Sequence, residues 1–286
     1  LSKGVAVVTP ALFLLHDLVV RRRPRPVLLG LSALLTFAIF AVTVSVGRQV
    51  DMVMPPLGGS RVATLATMGP VVARYLLNAV APFWLNVAHA VTVRTPSDPT
   101  GWLAWLLPLA CVAWSARRFR QGDRWPLFAS AFFAVALAPT SQVLVPLQNV
   151  MADRYLLVAV LGPWFLIVRE ARRLSPRARA AGVACVCAVF AVLTATRASL
   201  FSEDIPLWSD AALRAPKHPL PPFQLGVAFQ ENGRLPEAER AFREALRRAD
   251  ASRTWPMAER LARSATNALG TVVLGSGRID EAVALY

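Results

Sequence analysis

The chain has 286 residues, 55% of them hydrophobic and only 17% charged, and a net charge of +14. A soluble domain carries about 25% charged residues, so this composition excludes an ordinary soluble enzyme, and its long apolar runs exclude a disordered tail. Residues 199–286 balance 11 basic against 11 acidic side chains, whereas residues 1–198 hold 20 basic and 6 acidic and so carry the entire +14. Basic composition alone suggests nucleic acid. Here the basic part is also the apolar part, which points to membrane lipid as the partner and not to nucleic acid.

Cys111, Cys185 and Cys187 all lie in apolar runs. An odd number without His at ligand spacing argues against both a disulfide framework and a zinc site. No metal is expected. Lys3 and Lys217 are the only lysines beside 29 arginines, a bias that, with the abundant Ala, suggests a GC-rich bacterial gene. The chain opens on Leu1 and stops at Tyr286 within a helical pattern, so it reads as an internal fragment lacking sequence at both ends.

A membrane-crossing helix needs about 20 mostly apolar residues, with about 17 as the lower limit. In chain order the candidates are 5–20, which is short, then 27–47, 102–116, 127–146, 155–168 and 180–198. Three connecting segments are dense in Arg: RRRPR at 21–25, ARRFRQGDR at 116–124 and REARRLSPRAR at 169–179, with 4, 4 and 5 arginines. Such segments stay on the cytoplasmic side. Two spans separate each pair of them, and the final span then sends everything after residue 199 outside.

The segment 71–93 is apolar enough to cross, but a crossing there would put ARRFRQGDR on the wrong side. Pro82 sits at its centre, and Arg74, Asn78, Asn86 and His89 interrupt it. It reads as a broken, re-entrant or surface-lying helix within an outer loop of residues 48–101. Irregular backbone at membrane depth needs cover from protein or a water-filled cavity, so this loop is a candidate roof or wall of a site.

After residue 199 the pattern becomes charge-balanced, Ala-rich and helical. Leu225, Gly226 and Phe229, followed by Ala238 and Phe242, fit the tetratricopeptide pattern. Leu269, Gly270, Val273, Ala282 and Tyr286 repeat it 44 residues later, a period of 34 with an insertion of about ten near 249–258. Trp208 and Ala211 precede Phe242 and Ala245 by 34. Gly226 and Ala238 are expected to be small because two helices approach closely there, with Phe229 and Phe242 filling the space between. The expected architecture is all-α: a polytopic transmembrane bundle over 1–198, then a tetratricopeptide α-solenoid over 199–286.

This combination resembles the transmembrane and tetratricopeptide-repeat-containing family of protein O-mannosyltransferases and their bacterial relatives. LSKGVAVVTPALFLLHDLV is similar to that family's SKE…LPLLLLLYDL span, with Gly4 in place of Glu. Asp153-Arg154-Tyr155-Leu156 matches its E-R-Y-L, and ALAPTSQVLVPL is similar to the LLPVSNL string before it. RVATL…YLLNAVAPFWL resembles the family's outer loop, with Asn86 and His89 where an acidic residue is usual.

The resemblance implies a GT-C type glycosyltransferase that takes a sugar from a polyprenyl phosphate on the outer face. Its donor needs cations on the phosphate and a carboxylate for the acceptor hydroxyl. The carboxylate of that fold class lies in the first outer loop, which this chain lacks, so no catalytic base is assigned.

Arg154 is either a donor-phosphate contact or an interfacial arginine reaching for water. Arg74 and Arg61 are candidate phosphate or acceptor contacts. His89 is either a proton acceptor or a polar cap of the re-entrant helix. Lys3 pairs with phosphate or with an upstream carboxylate, a role weakened by Gly4. Asp51 stands at a membrane exit, and Asp17 most simply balances the adjacent arginines.

The leading expectation is an integral-membrane transferase moving a sugar, mannose among the options, from a polyprenyl-phosphate donor to an extracytoplasmic protein. Its repeats would bind the acceptor or a partner, and no further cofactor is expected. The alternatives are a non-catalytic membrane-anchored repeat scaffold and an O-antigen-ligase-like glycan transferase.

Overall fold

The computed structural model describes residues 8–21, 24–49, 54–143, 146–252, 255 and 257–286. Lys3 and Asp51 therefore lie outside the described residues. All regular structure among the described residues is helical, with no strand, in agreement with the all-α expectation. The chain forms two compact units: unit 1 is Leu1–Leu85 with Val93–Ala180, and unit 2 is Asn86–Thr92 with Ala181–Tyr286. The division falls inside a helix, before the composition boundary at 198.

In unit 1, α1 (Thr9–His16) continues as a π-helical turn, Asp17–Arg21, and is followed by α2 (Pro26–Gln49). Then come α3 (Arg61–Val80), α4 (Pro99–Leu103), α5 (Leu106–Arg120) and α6 (Trp125–Leu137). A 3-10 turn at Asp153–Tyr155 leads into α7 (Leu156–Ala159) and α8 (Leu161–Ala171); α9 (Pro176–Ala198) begins in unit 1 and has most of its length in unit 2. Among the described residues, each predicted span is mostly helical, although 127–146 leaves the helix after Thr140. Among the described residues only Pro176–Ser202 is long and apolar enough by itself to cross a membrane; Thr9–Val20, Pro26–Val42 and Trp125–Thr140 are apolar but shorter.

Helix α6 packs against α1, α5 and α8. Small and paired polar residues bring these helices together: Ser115, fully buried on α5, shares a 2.8 Å hydrogen bond with Ser130 on α6. A Cβ on Gly162 of α8 would stand 2.5 Å from the Ala129 carbonyl oxygen of α6, so only glycine permits that approach.

Of the segment 71–93, expected to be a broken, re-entrant or surface-lying helix, residues 71–80 are helical and form the end of α3, which begins earlier. It starts at Arg61, where the Ser60 hydroxyl accepts from the Ala63 amide at 3.1 Å as an N-cap, and ends at Val80. Pro82 restricts the residue before it, and Ala81 has left the helical region (φ −130°, ψ 85°). Pro70 lies within α3 and deprives the Ala66 carbonyl of its usual amide donor. Gly101 packs directly on that carbonyl, where a Cβ would come within 2.6 Å of the oxygen. Beyond Val80 no helix forms until Pro99, and the chain returns to α3 where the Arg94 amide donates to Thr67 Oγ1 at 2.9 Å.

Unit 2 continues with α10 (Asp204–Arg214), α11 (Leu220–Glu231), α12 (Leu235–Ala251), α13 (Ala258–Gly275) and α14 (Ile279–Leu285), each packed on the next. A Cβ on Gly226 would lie 2.6 Å from the Phe242 ring, and one on Gly270 would lie 2.9 Å from the Tyr286 ring. Ala211, Ala238, Phe242 and Ala245 are completely buried, and Leu269 and Ala282 nearly so. Leu225, Trp208 and Phe229 are half-buried, and Arg234 stacks over the Phe229 ring. The turns share the 44-residue offset: Gly233 (φ +71°) and Gly277 (φ +78°) both end a helix in the left-handed region that favours glycine. Part of the extra sequence between repeats lengthens α13, which at 18 residues exceeds the 12 of α11.

Candidate functional site

The π-helical turn, the 121–124 turn and the end of α8 gather the basic segments at one end of unit 1. Arg169 and Arg118 both donate to Asp123 (2.8 and 3.1 Å), and Arg124 donates to the Val19 carbonyl at 3.0 Å. Arg154, at the start of the helical run that ends with Arg169 and Ala171, lies 15 residues before Arg169. At about 1.5 Å per helical residue, that is roughly 20 Å away.

The segment around Arg154 is built with precision. Gln142 adopts φ +60°, uncommon for a residue other than glycine, and is 1% exposed. Its Nε2 donates to the Asn149 carbonyl at 2.9 Å and its Oε1 accepts from the Leu147 amide at 2.6 Å. One side chain thus organises the backbone of the loop. The loop then reaches Ala152, whose amide donates to Tyr75 Oη at 2.9 Å while the Tyr75 hydroxyl donates to the Ala152 carbonyl at 3.3 Å. Tyr75 is buried on α3, and Trp164 Nε1 donates to the Ala79 carbonyl at 2.9 Å one turn further along.

This double clamp flanks two of the sequence-predicted arginines. Arg74 precedes Tyr75 on α3, and Arg154 follows Ala152 by two residues, its guanidinium 5.4 Å from the Tyr155 ring centroid. Both are exposed and have no ion-pair partner among the described residues. Asn78, one turn along α3 from Arg74, is 3% exposed, and neither its amide oxygen nor its nitrogen has a hydrogen-bond partner among the described residues. A buried amide without partners costs about 1–3 kcal/mol. A guanidinium such as that of Arg74 or Arg154 is suited to pairing with an oxyanion.

The other predicted residues lie away from the Tyr75–Ala152 clamp. Arg61 begins α3, 13 residues and roughly 20 Å of helix from Arg74. His89 belongs to unit 2 and is half-buried, and its electrostatic influence falls on His218. His218 Nδ1 accepts from the Leu220 amide at 3.1 Å, and its ring stands edge-on to Trp255 with centroids 4.7 Å apart. Burial first, then His89 and Arg248, push this histidine down to about 4. No group of three or more His, Cys, Asp or Glu that could hold a metal ion occurs among the described residues.

Gln142, Tyr75 and Asn78 were not singled out from the sequence as site residues. Tyr75 and Ala152 are 77 residues apart, and no local pattern relates them. The polar interruption at Asn78 was visible but had no partner in the linear pattern. Comparison with family models, with curated proteins and with solved structures finds no match for the chain.

Proposed function

We propose that the chain is part of an integral-membrane glycosyltransferase that moves a sugar from a polyprenyl-phosphate donor to a protein outside the cytoplasm. The observation that carries this reading is the polarity of unit 1. Basic segments meet at one end, and the clamp with Arg74, Asn78 and Arg154 lies at the other. The apolar side chains exposed between them also support a lipid environment. On α2, Val27, Leu34 and Phe37 are 73%, 69% and 70% exposed. By itself, the apolar part of α9 also has no buried residue.

In this reading α3 and the irregular return after Val80 form a re-entrant element covered by protein. Arg154 and Arg74 hold the phosphate that departs when the sugar C1–O bond breaks. The acceptor hydroxyl forms the new bond at C1, and its proton goes to a base not assigned to any residue of this chain.

Residues 199–286 are proposed to be a tetratricopeptide solenoid on the extracytoplasmic side, binding the acceptor or a partner protein. The two glycine–aromatic contacts and the two left-handed turn glycines at one offset support that reading.

Membranes containing the complete protein are expected to transfer radiolabelled sugar from polyprenyl phosphate to protein. Arg154→Gln should slow transfer by about 10²-fold. Absence of transfer across a range of donors, with the fold intact, rejects the enzyme reading. Separately, a periplasm-dependent reporter should be silent when fused after residue 120 and active after 205; the reverse pattern rejects the orientation.

A further inference from the structure

Asp123 and Arg124 tie the three basic segments together, but most of the arginines they gather are left over. Asp123 takes Arg118 and Arg169, Asp17 takes Arg25, and Glu170 takes Arg173. Arg117 and Arg120 at the end of α5, Arg172 after α8, and Arg177 and Arg179 at the start of α9 are all exposed and make no ion pair among the described residues. Arg22 and Arg23 lie outside the described residues. Like charges at one end repel, so an anionic counterpart is needed from elsewhere.

The neighbouring surface identifies its chemistry. On the helices that carry these arginines, Leu109, Val112, Phe119, Val168 and Leu174 are more than half exposed. Trp125, in the same turn as Asp123, packs its ring on Phe165 and Phe128, with centroids 5.4 and 6.1 Å apart. Tryptophan beside basic residues at the end of apolar helices is the composition of a headgroup-level belt. A nucleic acid or an acidic protein would satisfy the charge and leave the apolar faces wet. A ligand with a phosphate above and acyl chains below satisfies both.

We propose that Arg117, Arg120, Arg172, Arg177 and Arg179 form a collar that binds the headgroup phosphates of anionic phospholipids in one leaflet. Asp123 is its organiser: by neutralising the two innermost arginines it lets the three segments approach and leaves the outer five for lipid. The collar rests on the membrane reading above and lies at the end of unit 1 opposite the proposed donor site.

The test uses the complete protein in detergent, with retained phosphatidylglycerol and phosphatidylcholine measured by native mass spectrometry. Each arginine near an anionic surface contributes a factor of about 5 in affinity. The paired variants R117Q/R120Q and R177Q/R179Q should therefore each weaken phosphatidylglycerol retention by at least about tenfold and leave phosphatidylcholine unchanged. For the unmodified protein, raising salt should reduce phosphatidylglycerol retention. The salt series does not depend on any variant folding. Equal retention of the two lipids, or full competition by inorganic phosphate, overturns the collar. Alkaline carbonate extraction tests the membrane reading separately: release of the protein sinks that reading and the collar together, whereas a protein that stays in the membrane but prefers no lipid sinks only the collar.

Discussion

Units 1 and 2 use the same residue types for opposite purposes. In unit 1 the described arginines of the basic segments crowd one end, while Leu, Val and Phe occupy exposed helix faces. In unit 2 arginine runs along the helix surfaces, paired with glutamate at i+3 or i+4, as in Arg234–Glu237 and Glu239–Arg243. Its repeat-like helices gather an apolar core around Phe242, with Ala238, Leu269, Val272, Val273 and Ala282 buried beside it. Glycine serves close packing in both, against a carbonyl at Gly162 and against an aromatic ring at Gly226. The difference lies in where apolar surface goes: the core around Phe242 moves it out of water, whereas unit 1 leaves Leu, Val and Phe side chains on its exterior.

The largest expected effect tests whether burial carries that contrast. Phe242→Ala should destabilise unit 2 by about 3–5 kcal/mol, read as faster hydrogen exchange across α11 to α14. Phe37→Ala, at a position 70% exposed on α2, should change exchange in unit 1 little in detergent or lipid. Similar losses at both positions would break the comparison.

Next comes acid. His218 is neutral when folded because burial, His89 and Arg248 push it to about 4. The unfolded chain takes up its proton near 6.5, so between those values the unfolded state binds more protons and stability is lost as pH falls. Unit 2 should keep full stability above about pH 6.5 and lose on the order of 3 kcal/mol by pH 4. His218→Asn retains an acceptor for the Leu220 amide without titrating there, and should flatten that part of the curve. A slope that survives this substitution would assign the loss to another group.

A third substitution should give opposite signs in the two units. Gly226→Ala drives a Cβ to 2.6 Å from Phe242, whereas Gly30 on α2 has nothing within 4 Å. The first should cost about 1–3 kcal/mol; the second should stabilise its helix by about 0.5–1 kcal/mol, because glycine is a poor helix residue. Thermal unfolding followed by circular dichroism measures both.

These contrasts also show what could be read from the chain alone. Helices were legible wherever apolar runs were long or small and aromatic residues recurred at a fixed offset, as with Gly226–Phe242 and Gly270–Tyr286. The start of α3 at Arg61 was not legible because most buried residues of its first half are small, Ala63, Thr64, Ala66, Thr67 and Gly69 beside Met68, and carry little hydropathy. Ser60 did mark its start as a cap, a signal available in the sequence. At the candidate site, Arg74 and Arg154 were legible as cations beside apolar segments, but that same criterion also selected Arg61 and His89, which lie elsewhere. Tertiary hydrogen bonds decide which cations share a site. The bonds that do so here, from Gln142 and Tyr75, depend on a left-handed backbone and on a contact across 77 residues.

The smallest expected effect concerns the surface of unit 2. Glu239 of α12 accepts from Arg243 on its own helix at 2.8 Å and from Arg278, which precedes α14; Glu281 of α14 pairs with both arginines. Arg278 first, then Arg243, hold Glu239 below the usual glutamate range against the opposing effect of burial. Its contribution is therefore complete above the ordinary glutamate pKa and is lost as pH falls through the depressed folded value, below most of the His218 window. Both arginines are about half exposed, so water screens the network. Glu239→Gln should cost only about 0.5–1 kcal/mol at neutral pH, and most of that difference should vanish in 1 M salt, where the Debye length is about 3 Å. A loss above about 2 kcal/mol that persists in salt would mean that the pair holds α12 and α14 together as a buried link. The exterior of unit 2 would then owe its cohesion to charge as well as to the core around Phe242.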